Sequence, residues 1–121
     1  MPSRRPDFEA RLRFLSPEEG GRKMPILAGM GYRPDLHYLD DVTNQLWMIW
    51  PMEMTAEDGT AIPQGTPLPP VVTAQMYIIN TDLRVSEHRS RLYIGTRFQV
   101  MEGPRVSAEG IVTALIGLHN D

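Results

Sequence analysis

The stretch Phe8-Glu9-Ala10-Arg11-Leu12-Arg13-Phe14-Leu15 decides the fold class. Phe8, Ala10, Leu12 and Phe14 alternate with Glu9, Arg11 and Arg13. A period of two is the signature of a strand with one face buried and one face charged and solvated. Ser16-Pro17-Glu18-Glu19 follows and reads as a helix start, with a capping serine, proline at the first position and acids at the positive end. Gly20 and Gly21 stop that helix after about one turn.

The same punctuation continues downstream. Pro25, Gly29 and Gly31 keep the next segment irregular, and Met24, Ile26, Leu27 and Met30 are expected to cover an open barrel end. A second strand is expected over Asp35 to Leu39, a turn over Asp40 to Asn44, and a third strand from Leu46 to Met54. In that third strand Trp47 and Ile49 share one face, and Met48, Trp50, Met52 and Met54 share the other. Pro51 bars a full ladder and predicts an edge or a bulge. Residues 56–70 are rich in glycine and proline and read as turns. A fourth strand spans Val71 to Ile79, a polar segment Asn80 to Ser90, a fifth strand Arg91 to Met101, and a sixth Arg105 to Leu118 with a bend or bulge near Gly110. No helix is long enough for a parallel crossover. The expected fold is therefore all-β, a closed six-stranded antiparallel barrel.

The chain has 121 residues, 41% hydrophobic and 22% charged, which suits one small domain. The expected division is a flexible N-terminus over 1–6, one barrel over 7–118 and a short tail over 119–121. No apolar run approaches the ~20 residues of a membrane-spanning helix, and no signal peptide is expected at the N-terminus. The net charge of -3 disfavours non-specific nucleic-acid binding. Of twelve basic residues only Lys23 is lysine; the rest are arginines, which recognise carboxylate and phosphate bidentately. The absence of cysteine removes disulfides, thiolate zinc sites and cysteine nucleophiles, and fits a cytoplasmic chain.

Catalytic signals are not visible. No phosphate-cradling glycine motif occurs, and His37, His88 and His119 are scattered without carboxylates at a metal spacing. No enzyme activity, cofactor or metal is expected. Three groups draw interest as binding surfaces. Trp47, Ile49, Trp50 and Met52 either fill the core or anchor a protein partner. Arg33, set before Pro34, either pairs with Asp35 or Asp41 or presents its guanidinium to a phosphate or carboxylate. Arg84, Arg89, Arg91 and Arg97, with His88, form either a solvated loop or a phosphate-contacting patch.

In the order Phe8–Arg22 (FEARLRFLSPEEGGR), Gly31–Tyr38 (GYRPDLHY), Asp41–Thr43, Ile62–Gly65, Val71–Ile79, Gly95–Gly103 (GTRFQVMEG) and Arg105–Gly117, the chain resembles the third domain of translation elongation factor Tu. The resemblance covers about residues 7–118. It implies a six-stranded antiparallel barrel without catalytic function, and contacts with tRNA and with neighbouring domains. Glu102 and Gly103 match the tRNA-facing turn, Arg33 and Arg105 match basic positions, and Asp35 and Glu102 fall near the family's GTPase interface. Gln45–Thr60 is longer and more apolar than its family counterpart, and Asn80–Tyr93 is expanded. With no GTPase domain, this chain alone is expected not to bind GTP.

The leading expectation is a non-catalytic binding module acting through Trp47, Ile49, Trp50 and Met52 on a protein partner or on a second copy. The alternative is an RNA-binding or translation-associated factor using Arg33, Asp35, Arg89, Arg91, Arg97, Glu102, Gly103 and Arg105. An enzyme with an unrecognised pocket ranks third.

Overall fold

The computed structural model describes residues 4–119. Six antiparallel strands close into a barrel: β1 (Phe8–Phe14), β2 (Asp35–Tyr38), β3 (Trp47–Ala56), β4 (Val71–Ile78), β5 (Arg97–Glu102) and β6 (Arg105–Leu115). Around the barrel their order is β1-β4-β3-β2-β5-β6. β1 takes the place its alternation predicts. Phe8, Ala10 and Leu12 are fully buried, while Arg11 and Arg13 lie on the outer wall. The outer charges are paired rather than merely solvated. Arg11 meets Glu57, and Arg13 bridges Glu19 and Glu109. Such exposed pairs, screened by solvent, contribute little to stability.

The core is formed by inward residues of every strand, among them Phe8, Leu12, Leu36, Tyr38, Met76 and Phe98. Burying each large apolar side chain stabilises the fold by roughly 1.5–3 kcal/mol. The rings of Phe8 and Phe98 meet edge to face at 6.1 Å. The Ser16 cap forms as its sequence demands. The Glu19 amide donates to Ser16 Oγ, the Ser16 amide donates to Glu19 Oε1, and Gly20 closes the 3-10 turn Pro17–Glu19 in the left-handed region.

Three expectations are corrected. The fifth strand does not begin at Arg91. The alternation through Leu92 and Ile94 is broken where Gly95 adopts φ 93°, and β5 starts at Arg97. The sixth strand ends at Leu115, so that the chain turns and buries Leu118. Of the residues expected to cover the barrel end, Ile26 is buried, but Met24 and Met30 stand exposed; Phe14, Tyr32, Met54, Ile62 and Leu68 pack against the core.

The bend or bulge expected near Gly110 falls on either side of it, as register shifts at Ser107 against β5 and at Thr113 against β1, while Gly110 itself stays in register. Its role is spatial. It pairs with Leu12 on one side and Phe98 on the other, and a Cβ on Gly110 would lie 2.4 Å from two ring atoms of Phe98. Gly110→Ala is expected to force the buried ring off its rotamer and to cost about 1–3 kcal/mol, read as a lowered urea midpoint with unchanged slope.

The polar segment 80–96 is only in part a surface loop. It folds as a plug across one barrel end, through a π-helical turn Arg84–His88, and inserts His88 and Leu92 as buried groups. Its arginines fasten it. Arg84 donates to the fully buried Asp7 at 2.6 Å and to the Gly117 carbonyl, Arg89 donates to the Leu118 carbonyl, and Arg91 reaches Asp40 and Asp41 while lying 3.9 Å over the Tyr38 ring. Both chain flanks are also fastened. Arg4 donates to Asp7 and to the Ile78 carbonyl, and His119 Nε2 meets the Leu92 carbonyl at 2.8 Å. Residues 1–3 and 120–121 of the expected terminal segments lie outside the described residues.

Candidate binding cleft

The run Trp47–Ala56 builds the site because its two edges differ. Along one edge β3 pairs with β4 from Ile49 to Ala56; along the other it meets β2 only at Trp47 and Met48. Pro51 has no amide to offer on that free edge. The register shifts between Met52 and Thr55, and Glu53 sits in the bulge with φ 49°. The edge and the bulge expected from Pro51 therefore both occur.

Segment 27–33 and loop 62–68 wall off the free edge. Leu27 bridges Pro67, and amide donors from Ala28 and Leu68 tie the two segments together. Between them and β3 lies a cleft of about 420 Å³. Leu27, Met30, Trp50, Met52, Met54 and Ile62 supply its apolar wall, and Arg33, Glu53 and Gln64 its polar positions. The Leu27 amide donates to Met30 Sδ at 3.2 Å and sets that thioether at the lip. The size and the mixture of apolar wall with few polar groups are those of ligand sites in general.

The sequence-derived candidates separate clearly in space. Trp47 and Ile49 face inward; Ile49 is 2% exposed, and Trp47 packs edge-on against His88 at 5.0 Å. Ile49 fills the barrel and offers no surface, and Trp47, half-buried, packs against the core. Trp50 and Met52 line the cleft. Met54 does not share their outer face, because the bulge at Glu53 turns it toward the core end. Arg33 pairs with neither Asp35 nor Asp41; its guanidinium lies 4.5 Å over the Trp50 ring, an attraction between cation and π face. Trp50 Nε1 is shielded from solvent and has no hydrogen-bond partner among the described residues.

The candidate RNA contacts are dispersed. Arg89 and Arg91 are engaged in the plug. Arg97 and Arg105 are exposed on the outer wall and the β5–β6 hairpin, with Gly103 in its turn. Asp35 is half-buried at the start of β2. Glu102 belongs to an internal network: the Tyr32 hydroxyl donates to its Oε2 at 2.8 Å and meets Ser107 Oγ at 2.8 Å, with Arg22 at 3.5 Å. Burial opposes ionisation of Glu102, but the hydrogen bonds of Ser107 and Tyr32 and the charge of Arg22 outweigh it. The carboxyl is held below its usual range.

Three cleft residues escaped the sequence reading as a group: Met30, Glu53 and Gln64. Glu53 carried a signal, as the lone charge within an otherwise apolar strand. Met30 and Gln64 carried none, because only the bridging of 27–28 to 65–67 brings them to β3. Among the described residues no group of three His, Cys, Asp or Glu side chains is arranged to hold a metal, and no helix is long and apolar enough to cross a membrane. No family model matches the chain.

Proposed function

We propose that this chain is a non-catalytic binding module, a relative of the third domain of elongation factor Tu, which takes an apolar side chain of a partner protein into the cleft beside β3. The quoted sequence stretches and the closed six-stranded antiparallel barrel support that relationship. The observation that carries the binding assignment is the methionine and tryptophan wall at the seam where the pairing of β3 with β2 lapses. Methionines adapt to irregular apolar surfaces and recur at binding faces. A partner is favoured over a second copy joined edge to edge, since Pro51 and the bulge blunt the free edge of β3. The RNA alternative draws less support, with Arg89 and Arg91 committed to the plug.

Titration with phenol tests the site, because small organic probes collect where apolar surface is concave. The methyl resonances of Met30, Met52 and Met54 are expected to shift most in a ¹³C-methyl-methionine spectrum. Largest shifts at Met24 or Met48 instead would place the site elsewhere.

A further inference from the structure

We infer that Glu53 selects the partner segment by charge, favouring one that sets a lysine or arginine close to its apolar anchor. This rests on the cleft being the binding site proposed above. Three observations carry it. Glu53 adopts φ 49°, the one positive φ at a non-glycine residue among the described residues. That backbone is costly for any residue with a Cβ, and glutamate lacks the short side chain that eases it for asparagine or aspartate. Glycine would occupy the bulge with less strain. Strain retained at an exposed position points to what the side chain does there.

The second observation is that the Glu53 carboxylate stands exposed in the cleft lining and makes no hydrogen bond or ion pair among the described residues. The third is that the cleft already holds a cation that leaves it unanswered: Arg33 is drawn onto the Trp50 ring instead. An unmatched negative charge beside an apolar wall complements a segment with an aliphatic or aromatic anchor and a nearby basic residue. Because Pro51 removes a donor from the free edge, side chains rather than a backbone ladder must provide the recognition. Rim charges of this kind govern selectivity and encounter more than raw affinity.

The test is a random heptapeptide phage library panned against the full chain, with enriched sequences then measured by fluorescence polarisation. Enriched peptides are expected to place lysine or arginine within two residues of an aromatic or aliphatic anchor and to shift the Met30, Met52 and Met54 methyl signals. Glu53→Gly is expected to weaken them about two- to fivefold while raising the unfolding midpoint, a combination that a purely structural glutamate does not produce. Glu53→Lys is expected to restore binding of the peptide whose basic residue is changed to glutamate. Peptides that shift those methyls without any basic preference, or bind Glu53→Gly unchanged, overturn the selection by Glu53 and leave the cleft standing. Failure of every enriched peptide to shift those methyls overturns both.

Discussion

Asp7→Ala is expected to lower the unfolding free energy by about 3–5 kcal/mol, a large share of the roughly 5–15 kcal/mol typical of a small domain. Asp7 is fully buried. Its Oδ2 accepts from Arg4 at 2.8 Å and from the Ile78 amide at 2.7 Å, and its Oδ1 accepts from Arg84 Nε at 2.6 Å. One carboxylate thus gathers the N-terminal flank, the end of β4 and the plug. Removing it takes a buried carboxylate partner from Arg84 and the side-chain acceptor from the Ile78 amide. Urea unfolding measures the loss, and amide exchange over 84–92 is expected to accelerate more than exchange in β1 or β6. Asp7→Leu combined with Arg84→Met is expected to recover part of the loss, since an apolar pair of similar volume carries no desolvation penalty. A loss below about 1 kcal/mol for Asp7→Ala would show that the plug holds without this carboxylate.

The second large effect is acid sensitivity centred on His88. The imidazole is 2% exposed, shares a 2.5 Å hydrogen bond with the Tyr38 hydroxyl, and lies edge-on to Trp47. Burial, assisted by the charge of Arg91 and opposed by Asp7, lowers its pKa from 6.5 to about 4. The native state therefore keeps His88 neutral where the unfolded chain already binds a proton. Stability from this group is complete above about pH 6.5 and falls as the pH drops toward 4, because the unfolded state gains protons over that window. The full loss is roughly 3 kcal/mol at about 1.4 kcal/mol per pH unit of separation. Urea midpoints at pH 7, 6, 5 and 4 measure it. His88→Phe is expected to flatten the slope between 6.5 and 4 even if it lowers the plateau. A wild-type slope unchanged in that variant would assign the acid sensitivity to other groups.

Much of the barrel was legible residue by residue. The alternation of Phe8, Ala10, Leu12 and Phe14 located β1, the Ser16 cap located its turn, and Pro51 located an irregularity in β3 that the structure resolves as a bulge beside a free edge. The fifth strand was misplaced because Arg91-Leu92-Tyr93-Ile94 has the alternation of a strand without a partner strand to pair with. Leu92 is buried there as part of a plug. The strand period already set Trp47 and Trp50 on opposite faces. One face of the pleat sent Trp47 to the core, and the other sent Trp50 to the cleft.

The amino-acid order by itself determined the all-β class, the caps and turns, and which side chains share a face where a strand runs without a bulge; past the bulge at Glu53 it misplaced Met54. These follow from the dihedrals of neighbouring residues and need no knowledge of distant ones. Only the tertiary structure decided which charges are free and where the surface is concave. Asp7 finds Arg84 across 77 positions of sequence, and segment 27–33 comes to lie against β3, so Arg84 became internal while Glu53 stayed open. Pairing and concavity depend on which remote segments meet, and that is set by barrel closure rather than by local pattern.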